Sequence, residues 1–227
     1  MGGYQRLIDL ARKHGANKLE EESKHYCHLY ERYFECTQGH YIAGIPAIHG
    51  DQIGSLLEIG VQKGGSLKMW ADYIPKAVVI HGIDIKEKCK AGPEAYDPRI
   101  KVFIGDQGDP TFLKGFGEYD VIIDDGSHQM RDTIVAFQNL WSHVNPGGMY
   151  IIEDLHTSYW PEFGGSSASA HTVLYALKSL VDSVNWWGLS HKRARHHTSS
   201  SRILQWPGVH ALHFHRSICF IEKGGEL

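Results

Sequence analysis

An open α/β fold, with a mostly parallel sheet covered by helices on both faces, is what this sequence predicts. Three observations predict it. Short apolar runs alternate with amphipathic stretches, and each alternation is about as long as a βαβ repeat. Two acidic pairs, Asp124-Asp125 in VIIDDGSH and Glu153-Asp154 in MYIIEDLH, each close one of the apolar runs. Runs of that length bounded by turn residues read as buried strands of a parallel sheet.

The elements follow in chain order. Residues 4–13 place apolar positions at helical spacing, and Gly15 is a stop. Residues 23–36, SKHYCHLYERYFEC, read as an aromatic-rich amphipathic helix that packs on the main sheet or on another subunit. Residues 1–45 thus form a helical arm, and 46–227 one globular unit. Within that unit, SLLEIGV (55–61) is a strand, GSLKMWADYI (65–74) a helix and AVVIHGIDI (77–85) a strand. KVFIGD (101–106) is a third strand, followed by a short helix near Pro110–Lys114. YDVIIDD (119–125) is the fourth strand and 130–144 a helix. Pro146-Gly147-Gly148 is a turn, MYIIED (149–154) the fifth strand, and 170–185 helical again. The ending, VHALHFHRSICFIEKG, splits into two alternating runs at Arg216-Ser217, the pattern of an antiparallel hairpin. Segments 161–170 and 190–201 are rich in Gly, Ser or basic residues and read as loops, the second also as a candidate lid.

Composition narrows the function classes. A net charge of -3 supplies no electrostatic reason for a nucleic-acid or anionic-membrane partner. No window reaches the roughly 20 apolar residues of a spanning helix. The opening MGGYQRLIDLARKHG lacks the apolar core of a signal peptide, so a cytoplasmic protein is expected. Cys27, Cys36, Cys89 and Cys219 form no CxxC pair and fit reduced thiols. Sixteen histidines cluster in part at 191–197 and 210–215, without H-x₃-H or HExxH pairing, and read as surface or core residues.

Chemistry concentrates at the carboxyl ends of the strands, where open α/β sheets bind ligands. Three or four acids at one edge repel one another, and a hard divalent cation with oxygen ligands resolves that repulsion. Helix caps or solvated loop acids are the alternative. The turn Glu58-Ile59-Gly60-Val61-Gln62-Lys63-Gly64-Gly65-Ser66 leads into a helix without the GxGxxG or GK[ST] spacing. Asp84 lies at the distance downstream where an acid meets a ribose, and Gly105-Asp106-Gln107 can meet an adenine edge. Together these strand ends describe a nucleoside pocket. His128, three residues after Asp125, suits general-base work near neutral pH, and His156 competes for the role. Tyr159 and Trp160 form either an apolar wall on which a sugar stacks or plain core packing.

LLEIGVQKGGSLKMWADYIP, IIDDGSHQ, NPGGMYIIEDLHTSYW and ICFIEKG resemble the metal-dependent sugar O-methyltransferases of the macrocin and mycinamicin type, similar to rhamnosyl O-methyltransferases. The early LIDLARKHGANK resembles the segment that precedes their core. The resemblance implies a Rossmann-like class I fold, a seven-stranded sheet with an antiparallel last strand, that binds S-adenosylmethionine (SAM). It implies SAM contacts from Glu58, Gly60, Ser66, Asp84, Asp106, Gln107 and Asp124. It implies Mg²⁺ on Asp125, Glu153 and Asp154, and His128 as the base acting on a hydroxyl of a glycoside or oligosaccharide acceptor. It also suggests a homodimer. One departure is Gly15-Ala16-Asn17-Lys18, where family members carry Gly-Thr-Asp-Lys; it suggests an acceptor other than a macrolide. A catechol-type O-methyltransferase, a hydroxylase-like metalloenzyme on the same scaffold and a non-catalytic nucleoside binder are the rival readings.

Overall fold

Seven strands form one sheet: β1 (Ser55–Ile59), β2 (Val79–Asp84), β3 (Ile100–Ile104), β4 (Tyr119–Asp124), β5 (Val144–Ile152), β6 (Val209–His215) and β7 (Ile218–Lys223). Their order in the sheet is β3-β2-β1-β4-β5-β7-β6. The computed structural model describes residues 7–19, 25–34, 50–185 and 206–224. The loop expected at 190–201 and Cys36 lie outside them, while Cys27, Cys89 and Cys219 are buried free thiols. The first five strands pair in parallel. β7 runs against β5, and β6 against β7, as the terminal hairpin pattern predicts.

Alternation along each strand sends neighbours to opposite faces, and both faces are buried. Leu56, Ile123 and Ile151 join one core; Leu57, Ile122 and Ile152 join the other. The first core is closed by α1 (Leu7–His14), α2 (Tyr26–Phe34) and α3 (Gly65–Tyr73), through Leu7, Leu10, Tyr30, Phe34, Leu67 and Trp70. Two short helices, α4 (Ala91–Glu94) and α5 (Pro110–Leu113), follow β2 and β3. The second core is closed by α6 (Met130–Leu140) and α7 (Val173–Val184), through Phe137, Leu140, Leu177 and Leu180. The helices of residues 7–34 thus share one apolar core with the sheet. Burying side chains of this size contributes roughly 1.5–3 kcal/mol each, which is what a nine-residue helix needs to persist.

Several boundaries differ from the sequence expectation, each for a local reason. β1 stops at Ile59, because Gly60 turns the chain with φ at +95°. Residues 144–152 form one strand in which Pro146-Gly147-Gly148 is an excursion rather than a separate turn: Val144 pairs with Tyr119 and Met149 with Val121. Gly147 accommodates the detour with φ at +81°. α6 ends at Leu140 and continues as a single 3₁₀ turn, Trp141–His143. The stretch expected as a loop from 161 begins with a 3₁₀ turn, Pro161–Phe163. Thr172 caps α7, its hydroxyl accepting from the Tyr175 amide at 3.2 Å. Among the described residues no helix is long and apolar enough to cross a membrane.

Candidate active site

The turns after β1, β2, β3 and β4 close around a cavity of about 530 Å³, lined by Gly60, Asp84, Asp106, Gln107, Asp125 and His128 among others. Two backbones touch here. A Cβ on Gly60 would lie 2.0 Å from the Asp125 carbonyl oxygen, so glycine is required where the β1 and β4 turns meet. The Asp125 amide donates to the Ile59 carbonyl at 3.0 Å, which fixes the acidic turn against the glycine turn.

Asp84 supports that turn. Its Oδ2 accepts from the amides of Val61 (3.1 Å) and Gln62 (2.9 Å), and Oδ1 from the Lys86 amide at 2.9 Å. Gln107 ties the next two turns: Oε1 accepts from the Ser127 amide at 2.7 Å, and Nε2 donates to Asp124 at 3.2 Å. Both remain at the cavity wall with part of their hydrogen-bonding capacity engaged by the protein.

Glu58, Ser66 and Asp124 lie behind the wall rather than on it. Glu58 shares a face with Leu56, so it points into the core under α1–α3, where Ser66 donates to it at 2.5 Å and Trp70 Nε1 at 3.4 Å. Asp124 faces the opposite core and accepts from Gln107 and from the Tyr150 hydroxyl at 3.3 Å. Burial pushes its carboxyl up to about 7 against those donors. Burial likewise raises Glu58, with Lys18 opposing.

Asp125, His128 and Asp154 converge: each offers one ligand atom, and those atoms lie within 4.8 Å of one another. His128 Nε2 is 3.6 Å from Asp154 Oδ2. Two of the three adopt left-handed backbone, His128 at φ +58° and Asp154 at +53°. Non-glycine residues held there cost of order 1–3 kcal/mol each, a strain that clusters at functional sites. The two carboxylates offer the oxygen donors that suit a hard divalent cation, with the His128 imidazole beside them.

Glu153 is placed differently from its neighbour. Its Oε1 accepts from Lys18 Nζ at 2.6 Å and from the Tyr30 hydroxyl at 2.5 Å. Burial raises this carboxyl and Lys18 opposes the rise. Every hydrogen bond to its side chain among the described residues falls on Oε1. Lys18, wholly buried, also reaches Asp125 Oδ2 at 3.1 Å and Glu58 Oε1 at 3.4 Å. Burial works against its charge, but Asp125, Glu153 and Glu58 outweigh that and hold its pKa well above the ordinary value.

His156 sits outside this arrangement. It hydrogen-bonds Ser217 Oγ and stacks edge-on with Trp160 at 4.6 Å, beside a separate cavity of about 400 Å³ that includes Phe214 and Arg216. Tyr159 and Trp160 are exposed, not core residues. Sequence reading passed over Lys18, Tyr26 and Tyr30 as site residues. The i, i+4 spacing of the two tyrosines was the available signal, together with the need of clustered acids for a buried counter-charge.

The family described as "Methyltransferase domain" matches residues 57–155. The chain is 34% identical to the 8-demethyl-8-alpha-L-rhamnosyl tetracenomycin-C 2'-O-methyltransferase of Streptomyces olivaceus, over 96% of this chain and 54% of that protein. It is 39% identical to the demethylmacrocin O-methyltransferase of Streptomyces fradiae, over 74% and 44%. Among solved structures it is similar to the MycE methyltransferase of the mycinamycin pathway in complex with Mg and SAH: TM-score 0.80, 31% identity, covering 97% of this chain and 55% of that one. A second structure of that enzyme, which also holds mycinamycin VI, matches with TM-score 0.78. The chain spans about half the length of these relatives.

Proposed function

From a chain whose class I methyltransferase domain belongs to the metal-dependent sugar O-methyltransferase family, we infer transfer of a methyl group from SAM to a sugar hydroxyl of a glycosylated small molecule. The observation that carries this reading is the convergence of Asp125, His128 and Asp154 beside the cavity formed by the turns after β1–β4. By their names the relatives are O-methyltransferases of a rhamnosyl tetracenomycin-C and of demethylmacrocin, and the MycE structure holds Mg and SAH.

The roles divide by position. Gly60 lets the cofactor approach the backbone, while Asp84 and the Asp106-Gln107 turn line the nucleoside end of the cavity. Glu58, Ser66 and Asp124 support those turns from behind. Asp125 and Asp154 would hold the cation, with Glu153 as the third acid beside them. An unaided alcohol is far too weak an acid for an imidazole alone to ionise, a gap of roughly 12 kcal/mol. When bound, a divalent cation supplies that acidification. His128 then accepts the hydroxyl proton, and Asp154, 3.6 Å from Nε2, stabilises the resulting imidazolium. Holding donor and acceptor at near-attack distance contributes a further 7–11 kcal/mol, roughly, in well-oriented systems.

The test is a methyl-transfer screen from SAM over rhamnosides, other glycosides and a catechol, with Mg²⁺ or with EDTA, reading products by mass. Glycoside methylation that stops in EDTA while SAH binding persists is expected. Full turnover in EDTA sinks the metal role, and a preference for the catechol sinks the sugar assignment. His128→Ala should lower turnover at least a hundredfold with SAH affinity unchanged; undiminished turnover transfers the base role elsewhere.

A further inference from the structure

Every acid expected around the cation receives a hydrogen bond from one short stretch of chain before the sheet. Lys18 donates to Asp125 at 3.1 Å and to Glu153 at 2.6 Å. Tyr30, on α2, donates to the same Glu153 oxygen at 2.5 Å. Tyr26, one turn earlier on the same helix face, has its hydroxyl 2.9 Å from Asp154 Oδ1. That hydroxyl also lies 3.0 Å from the Ser217 carbonyl, and its single proton favours the carboxylate, the stronger acceptor. It accepts in turn from the Asp154 amide at 3.3 Å, which steadies the left-handed residue.

We propose that Lys18, Tyr26 and Tyr30 are positioning residues for the proposed metal site, orienting Asp125, Glu153 and Asp154 from behind. The inference rests on the functional reading above. Packing alone does not account for the three groups. A buried ammonium beside three acids is commonly less stabilising than an apolar side chain of the same size. Phenylalanine would fill the space of either tyrosine, whose rings are already fixed by neighbours: Tyr30 meets Trp70 at 5.0 Å and Phe220 at 5.6 Å. What the polar atoms add is direction. Partners that hydrogen-bond ligating groups fix their orientation, and losing one typically weakens metal binding or activity 10–100-fold. Lys18 further joins Glu58 to this set at 3.4 Å, so the support reaches the core beneath the cofactor turn.

The experiment uses the full 227-residue chain with Mn²⁺ as a spectroscopic probe of the site. Binding is followed by electron paramagnetic resonance, SAH binding by calorimetry, and folding by thermal melts. Tyr26→Phe and Tyr30→Phe should each weaken Mn²⁺ binding about tenfold, and Lys18→Met nearer a hundredfold. SAH affinity in the tyrosine variants should stay within about threefold, and excess Mg²⁺ should restore their turnover. Should Lys18→Met not fold, the two tyrosine variants, which keep the ring packing, carry the test. Mn²⁺ binding equal to wild type in the folded variants overturns the proposal, whatever the melting temperature does. A wild-type chain that transfers methyl groups fully without metal refutes the metal role in the functional reading and this inference together. Wild type that binds the ion, with variants binding it equally well, refutes this inference alone.

Discussion

Replacing Asp124 by asparagine should remove a large part of the chain's pH-dependent stability. The carboxyl is buried at the end of β4, and burial raises its pKa from 3.8 to about 7 despite donors from Gln107, the Gly126 amide and Tyr150. In the unfolded chain it returns to an ordinary value. Between the two pKa values the folded state holds a proton that the unfolded state has released, so stability falls as pH rises. A shift of this size corresponds to about 4 kcal/mol in all, of which about 3 kcal/mol is lost between pH 5 and pH 8. Asparagine keeps the shape and does not titrate. Urea unfolding of wild type and Asp124→Asn, followed by circular dichroism near pH 5 and near pH 8, measures the difference. The variant should gain about 3 kcal/mol relative to wild type between the two conditions, whatever its cost at either one. A relative stability that stays constant within about 0.5 kcal/mol refutes the reasoning, because the native carboxyl would then titrate like an unfolded one.

Two further predictions rest on backbone geometry. Gly60→Ala forces a Cβ to within 2.0 Å of the Asp125 carbonyl from a residue at φ +95°; it should weaken SAH binding at least tenfold by calorimetry and lower the melting temperature. Unchanged binding would show that the two turns can separate freely. Arg99→Lys should cost about 1–3 kcal/mol in urea unfolding. Its guanidinium reaches the Ala71, Ile74, Pro75 and Ala77 carbonyls at 2.7–3.3 Å, a fork that one ammonium cannot reproduce. A variant as stable as wild type would mean that water satisfies those carbonyls equally well.

Strand positions were legible because both faces of the sheet are buried, which makes each strand a short continuous apolar run. Their acidic ends were legible for the same reason, since charge stands out where an apolar run stops. The side to which each acid turns was not. Glu58 and Asp124 lie inside their strands, and strand alternation sends them into opposite cores, where Trp70 and Ser66, or Gln107 and Tyr150, receive them. Neighbouring strands decide which core lies on which side, and linear spacing does not encode that. In the sequence His128 was the first candidate for the base and His156 its competitor. The structure separates them, because one shares the cavity with Asp125 and the other bonds Ser217 beside a different cavity.

The sequence by itself determined the alternating α/β architecture, the reversed C-terminal hairpin and the gathering of acids at one edge of the sheet. Periodicity and strand termination are local properties, written in consecutive residues. Only the tertiary structure decided how those acids are shared out. It brings Asp125, His128 and Asp154 together and turns Glu153 toward Lys18 and Tyr30, across 135 and 123 residues of chain. A buried charge takes whichever partner the fold brings within reach, and that partner lies far outside any window in which a sequence pattern could be read.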